Sequence, residues 1–247
     1  MNSIGLFGDS FTGYHIEDFK LFPIRKGHQY HWSVLLAGEY SAKLTNYGRP
    51  GSSVYFSYKQ FITHHSKHDF NIFLVTEPGR YIKKVELYNG NKIFIPSLSS
   101  IPITGAELYE PSEAHLKGWF LASDDEFNRD MSDIMLSKIL EIAPKTLIIP
   151  CFPTSLSEEK QKEVFDGTDM NLCDIQTRQA KAYNIPMNKL LKDYEENDQI
   201  MAGHFVPEFN ELIYRVVLKR IKTGVWDWAL PSHIDLKYKL EEAWNKR

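Results

Sequence analysis

The stretch that decides the fold is SIGLFGDSFT, residues 3–12. It begins with an apolar run, Ser3 to Phe7, that is typical of a strand buried on both faces of a sheet. Gly8, Asp9 and Ser10 follow directly and predict a turn. In open α/β sheets, ligands bind at the carboxyl ends of the strands. The stretch therefore predicts a buried strand that carries Ser10 to a ligand-binding edge.

Two further apolar runs predict strands of the same sheet, Phe70 to Thr76 and Thr146 to Pro150. Elsewhere apolar residues recur every three to four positions, which is typical of amphipathic helices. Four such helices are predicted: His31 to Tyr40, Ser53 to His64, Asp130 to Ile142 and Glu208 to Ile221. Strands that alternate with helices favour an α/β class fold, a three-layer α/β/α sandwich with a central, mostly parallel sheet.

The length of the chain fits one core with two additions. At about 150 residues per domain, 247 residues allow one large domain or two small ones. The alternation breaks between about 80 and 130, where Asn89-Gly90-Asn91 between two apolar runs predicts a hairpin. We therefore predict a single domain over residues 1–222 with an insertion at about 80–130, and a C-terminal appendage over 223–247 that packs on the core.

The composition disfavours several classes of protein. The 29 Lys and Arg against 32 Asp and Glu leave a net charge of −3, with no positive excess to attract nucleic acid or an anionic membrane. No window approaches 18 apolar residues, and the N-terminus does not resemble a signal peptide. Two cysteines are too few for a stapled secreted scaffold, although counting leaves a single bridge open. We expect a cytoplasmic protein.

Three blocks of the sequence, in order, resemble the SGNH hydrolases, also called the GDSL esterase and lipase family. The first is Gly8-Asp9-Ser10, followed by Trp32, and the second is NYGRPGSS, Asn46 to Ser53. The last is Gly203-His204, ahead of the final predicted helix. The resemblance spans Ser3 to about Ile221 and implies a flavodoxin-like fold and a serine hydrolase that acts on esters.

By this resemblance, Ser10 is the nucleophile and His204 is its general base. The backbone amides of Ser10 and Gly51 would point at the developing oxyanion. Asn46 lies in the loop that carries Gly51, and Asp9 is expected to fix the turn around Ser10 by accepting hydrogen bonds from backbone amides. No metal and no cofactor is implied.

The sequence departs from the family pattern in two places. The family's third block supplies an Asn side chain to the oxyanion hole, but Thr76-Glu77-Pro78-Gly79-Arg80 stands at the matching place. From its position, Arg80 is the candidate replacement, as an oxyanion donor or as a clamp for an anionic substrate. The family's acid, three residues before the histidine, is replaced by Met201.

Three groups could orient His204 in place of that acid. Asp198 lies six positions before it and Glu208 four after it, and a backbone carbonyl is the third option. We favour Asp198, because Glu208 is expected to open the final helix as a capping residue.

Other chemistry-bearing residues have simpler interpretations. His64 and His68 would share a helix face, but the residues between them lack the glutamate of a zinc-protease motif. We expect a solvated helix end there and no metal. Cys151 is interpreted as a strand-end cysteine without a catalytic role. Trp226 and Trp228 are expected to anchor the C-terminal tail, or else to form a platform on which a sugar stacks.

The sequence thus predicts a serine esterase that works through an acyl-enzyme. Ser10 attacks the ester carbonyl, His204 passes its proton to the leaving alcohol, and water then attacks the acyl-enzyme. Small acyl groups such as acetyl on carbohydrates are the expected substrates, by analogy with the family. The alternatives are an O-acyltransferase on the same scaffold and a catalytically weak carbohydrate-binding module. Neither nucleic acid nor a membrane is an expected partner.

Overall fold

A computed structural model of the chain describes residues 1–12, 28–49, 52–76, 81–86, 92–97, 125–152, 156–165, 171–173, 205 and 207–227. The strands are β1 (Ser3–Phe7), β2 (Lys43–Asn46), β3 (Phe70–Val75), β4 (Tyr81–Glu86), β5 (Lys92–Ser97) and β6 (Leu147–Pro150). The α-helices are α1 (Trp32–Glu39), α2 (Val54–His64), α3 (Asp125–Ile142), α4 (Glu158–Phe165) and α5 (Pro207–Thr223). Short 3-10 turns cover Ser10–Thr12, His28–Tyr30 and His65–Lys67.

Among the described residues, four parallel strands form the central sheet in the order β2-β1-β3-β6. This is the strand order of flavodoxin-like, doubly wound folds, in which the chain changes direction between β1 and β3. The register places Ile4 of β1 beside Leu44 of β2 and Phe70 of β3. The predicted α/β class with a mostly parallel sheet is confirmed, and the turn after β1 lies at the switch point where such folds bind ligands.

Helices cover both faces of the sheet, which makes the three layers. On one face, Ile4 and Leu6 of β1 pack with residues of α1 and α5 in a core that includes Trp32, Leu36 and Phe209. On the other face, Phe7 and Phe73 pack with residues of α2 and α3, among them Phe61, Leu136 and Ile139. Because side chains alternate along a strand, one apolar run supplies both cores.

Local signals explain where two of the helices begin. Ser53 precedes α2 and its hydroxyl oxygen accepts a hydrogen bond from the Phe56 N–H at 3.2 Å, which caps the first turn. α5 begins at Pro207, a residue suited to the first helical position because it has no N–H to leave unpaired. Phe205 therefore lies two residues before the start of the helix.

The structure adds two elements that the sequence did not reveal. β2 is a four-residue edge strand with Lys43 and Thr45 on one side, so it lacks the apolar run of a buried strand. α4, with the sequence EEKQKEVF, has few apolar residues. α3 begins at Asp125, ahead of the predicted Asp130. β5 continues through Pro96, which a two-stranded hairpin tolerates because both of its strands are edge strands.

The end of the described chain packs on the α1–α5 core. Trp226 is buried there, with the Arg220 guanidinium 5.4 Å from its ring centroid. This contact agrees with the anchoring interpretation of Trp226, whereas Trp228 lies outside the described residues. The boundaries of the proposed insertion and appendage remain predictions. No described helix has the length and apolarity that a bilayer crossing requires.

Candidate active site

The residues after β1 form a tight turn around Ser10, which we term the Ser10 turn (residues 9–12). The backbone N–H and the hydroxyl of Thr12 both donate to the Asp9 carbonyl, at 3.2 and 2.7 Å. The Asp9 carboxylate accepts a hydrogen bond from the Phe11 N–H at 3.0 Å. Asp9 is fully buried, so its carboxylate belongs to the scaffold of the turn. This is the type of hydrogen bond that the sequence led us to expect of Asp9.

Gly8 makes the change of direction into the Ser10 turn. Its φ of 153° lies in a region that residues with side chains rarely adopt. A Cβ at this position would also lie 2.8 Å from Leu74 Cβ and 2.9 Å from Thr12 Cγ2. Glycine is therefore required here for both conformation and space.

The loop after β2, which we term the Asn46 loop (residues 46–49), packs against the Ser10 turn. The Arg49 N–H donates to the Gly8 carbonyl at 3.2 Å. A Cβ at Gly48 would overlap Thr12 Oγ1 and lie 2.7 Å from the Asp9 carbonyl oxygen. Asn46 shapes the loop through its side-chain oxygen, which accepts a hydrogen bond from the Gly48 N–H at 2.9 Å. The first and second sequence blocks therefore meet at one edge of the sheet.

Ser52, just beyond this loop, adds a second donor to the same carbonyl. Its hydroxyl lies 2.8 Å from the Gly8 carbonyl oxygen, and the residue is fully buried. The sequence placed Ser52 in the second block but did not reveal this role. Gly51, the predicted oxyanion donor beside it, lies outside the described residues.

The segment before α5 reaches the Ser10 turn through aromatic packing. The ring of Phe205 lies 4.8 Å from the ring of Phe11, centroid to centroid. Phe152, which follows β6, contacts Phe11 from another direction at 5.5 Å. The residue after Ser10 in sequence thus contacts the residue after His204.

Hydrogen bonds through α1 reinforce this contact. Asn210 of α5 donates to the Phe205 carbonyl at 3.0 Å and accepts from the Trp32 N–H at 3.2 Å. The Trp32 indole N–H in turn donates to the Phe11 carbonyl at 3.0 Å. These bonds link the start of α5 to the Ser10 turn through buried groups. No sequence signal distinguished Asn210 from other polar residues of an amphipathic helix.

The described residues bring together three of the predicted site residues, Ser10, Asp9 and Asn46. Gly51, Arg80, Asp198 and His204 lie outside the described residues, so their roles remain predictions. Thr76, which directly follows β3 where the family has its next block, is buried, and its hydroxyl has no hydrogen-bond partner within the described ranges.

The end of α2 is solvated as expected, with Ser66 and Lys67 exposed, but the expected common helix face of His64 and His68 was wrong. α2 ends at His64, so His64 and His68 do not share a helix face. Both are half-buried against Tyr47, whose ring stacks on His64 and whose hydroxyl bonds to His68. We term these three residues the histidine cluster. Within the described part of the chain, no three His, Cys, Asp or Glu side chains are grouped as metal ligands would be.

Comparison with known proteins gave matches among solved structures alone: no family model and no curated protein matches the sequence. The lipase/acylhydrolase from Enterococcus faecalis is 15% identical, with 91% of this chain and 97% of that chain covered and a TM-score of 0.41. A member of the lipolytic protein G-D-S-L family from Veillonella parvula is 14% identical, with 90% and 100% covered and a TM-score of 0.37. The chain is thus similar to lipolytic proteins, one of them from the family that its sequence blocks resemble.

Proposed function

We propose that the protein is a serine ester hydrolase in which Ser10 is the nucleophile and His204 is the general base. The observation that carries the proposal is the contact between Phe11 and Phe205 at 4.8 Å. These two residues directly follow Ser10 and His204, so the contact supports a site that draws on both ends of the chain. Catalysis by a serine needs such a base within hydrogen-bond reach of its hydroxyl.

The hydrogen bonding of the backbone N–H groups in the Ser10 turn supports a role for the Ser10 amide in stabilising an oxyanion. The Phe11 and Thr12 amides both donate to Asp9. Among the described residues, the Ser10 amide has no hydrogen-bond acceptor. A backbone N–H of the nucleophile that has no acceptor among the described residues is the kind of donor that stabilises developing negative charge. The amide of Gly51 is the proposed second donor.

The proposed reaction runs through an acyl-enzyme. Ser10 Oγ attacks the ester carbonyl while His204 accepts its proton, and His204 then protonates the leaving alcohol. Water deprotonated by His204 attacks the acyl group and restores the serine. Asp198 is the proposed orienting acid, and Arg80 the proposed additional donor. Small acyl groups on carbohydrates are the proposed substrates, which the aromatic content of 13% would suit.

The test is hydrolysis of a short-chain p-nitrophenyl ester by the wild type and by Ser10→Ala. We expect the Ser10→Ala variant to lose at least about a thousandfold in kcat. Ser66→Ala is the matched control, because it removes the hydroxyl of an exposed serine in the turn after α2, and it should retain wild-type kcat. Equal product release by wild type and Ser10→Ala would refute the proposal. Slow hydrolysis that rises steeply with added alcohol or sugar would assign acyl transfer instead.

A further inference from the structure

Tyr47 is held rigidly on the face of the sheet covered by α2. Its ring stacks on Phe7 of β1, with centroids 5.0 Å apart and planes 8° apart. It also stacks on His64, at 4.4 Å and 7°. Its backbone N–H donates to the Leu6 carbonyl at 2.8 Å. Two ring contacts and one backbone hydrogen bond thus hold Tyr47 in place near the start of the Asn46 loop.

The Tyr47 hydroxyl is hydrogen-bonded to Nε2 of His68 at 2.9 Å. The His68 ring fills the space above Gly5, where a Cβ would lie 2.6 Å from His68 Cδ2. The other ring nitrogen, Nδ1, is buried and has no hydrogen-bond partner within the described ranges. His68 therefore makes its side-chain hydrogen bond to Tyr47 through Nε2 and leaves Nδ1 unsatisfied.

If His68 were protonated, the N–H on Nδ1 would have no acceptor in this position among the described residues. The charged ring carries N–H groups on both nitrogens, and Nδ1–H would be buried without a partner. The unpartnered Oδ1 of Asn71 borders the space above Gly5 on the Cδ2 side of the ring. Nδ1 reaches that oxygen only if the ring turns over, which removes Nε2 from Tyr47. Movement of the ring into water breaks the same bond.

The surroundings keep the His68 ring neutral near neutral pH. Burial lowers the pKa of His68, and electrostatic interaction with His64, Lys67 and Lys43 lowers it further, whereas Asp69 raises it. The hydrogen bond to Tyr47 is thus made by the neutral ring near neutral pH.

The residue after Tyr47 touches the Ser10 turn. Gly48 lies so close to Thr12 and to the Asp9 carbonyl that a Cβ added to Gly48 would collide with both. A shift of the Tyr47 backbone is therefore passed directly to the residues on either side of Ser10.

We propose that Tyr47 is a positioning residue for Ser10: its ring and its hydroxyl bond to His68 hold the Asn46 loop against the Ser10 turn, and protonation of His68 loosens this support. The kinetic part of the proposal rests on the proposed function. The structural part, a link between His68 and Gly48, does not depend on any activity.

The kinetic test uses Tyr47→Phe, which keeps the ring stacking and removes the hydroxyl. We expect kcat for the p-nitrophenyl ester to fall about three- to tenfold, the range of one lost hydrogen bond, with KM within about twofold of wild type. The acid limb of the wild-type kcat profile should contain an inflection from His68 that Tyr47→Phe lacks. Tyr55→Phe, at an exposed tyrosine of α2, is the matched control and should keep the wild-type profile. A wild-type kcat and profile in Tyr47→Phe would overturn the proposal.

The structural test follows the Gly48 amide by NMR as pH is lowered. In the wild type, we expect its chemical shift to change with the midpoint at which the His68 ring titrates. In Tyr47→Phe and in His68→Gln, which replaces the titrating ring with an amide, that change should disappear while thermal unfolding shows both variants folded. A Gly48 signal independent of His68 in the wild type would overturn the proposal, even if Ser10 proves catalytic. Conversely, full activity in Ser10→Ala would refute the proposed function and leave this coupling to be decided by NMR.

Discussion

The Ser10 turn and the histidine cluster adjoin the same short loop, but they differ in how their polar atoms are satisfied. In the Ser10 turn, Asp9 accepts hydrogen bonds through both its carboxylate and its carbonyl, and the carbonyl of Gly8, just before the turn, accepts two more. In and beside the histidine cluster, the buried atoms His68 Nδ1 and Asn71 Oδ1 have no partner within the described ranges. The hydrogen bonds of the first region favour a single arrangement. The unsatisfied atoms of the second region make its arrangement sensitive to protonation of His68.

The largest effect should come from disturbing the tightly packed turn at Gly8. Gly8→Ala introduces a Cβ 2.8 Å from Leu74 Cβ at a φ of 153°, so we expect unfolding to become easier by about 3 kcal/mol. Urea unfolding measures the change. Gly38→Ala is the matched control: Gly38 lies in α1 with nothing near its missing Cβ, and alanine there should stabilise by about 0.5–1 kcal/mol. If both substitutions behaved alike, the tight turn described here would be wrong.

A smaller effect should follow from removing the link between α5 and the Ser10 turn. Asn210→Ala leaves the Trp32 N–H and the Phe205 carbonyl buried without this partner, which should cost about 2 kcal/mol of unfolding free energy. Because Phe205 follows His204, we also expect kcat for the ester to fall while KM changes little. Chemical denaturation and ester kinetics measure the two effects. A stable variant with wild-type kcat would show that the link does not support the site.

The smallest effect should be the pH dependence of stability contributed by His68. Because its pKa is lowered on folding from the ordinary 6.5, the unfolded chain binds the proton more readily. The contribution of the neutral ring is therefore fully present above about pH 6.5 and is lost as pH falls below it. We expect this part of the acid destabilisation to be absent from His68→Gln in denaturant titrations at several pH values. If the free energy of unfolding depended on pH in the same way in wild type and variant, the burial of an unsatisfied Nδ1 at His68 would be contradicted.

The fold could be predicted where apolar residues occur in runs. β1, β3 and β6 are buried on both faces, so nearly every residue in them is apolar and the runs stand out. β2 was missed because an edge strand that is half exposed has no such run. α4 was missed because its sequence, EEKQKEVF, has too few apolar residues to define a face.

The candidate site could be predicted only where residue types carry a local signal. Gly8, Asp9 and Ser10 carry a local signal, since a turn after a strand demands such residues. The contact of Phe11 with Phe205 joins positions at opposite ends of the chain, and no local pattern encodes it. The expected placement of His64 and His68 on one helix face was wrong because α2 ends at His64. The stacking of Tyr47 on His64 could not be predicted from spacing.

The most direct test of the central claim, that Ser10 is a nucleophile activated by His204, is labelling by a fluorophosphonate with mass spectrometry of the modified peptide. We predict one adduct, on Ser10, and a labelling rate that falls at least about a hundredfold in His204→Ala. An adduct on another residue, or labelling of Ser10→Ala at the wild-type rate, would contradict the account.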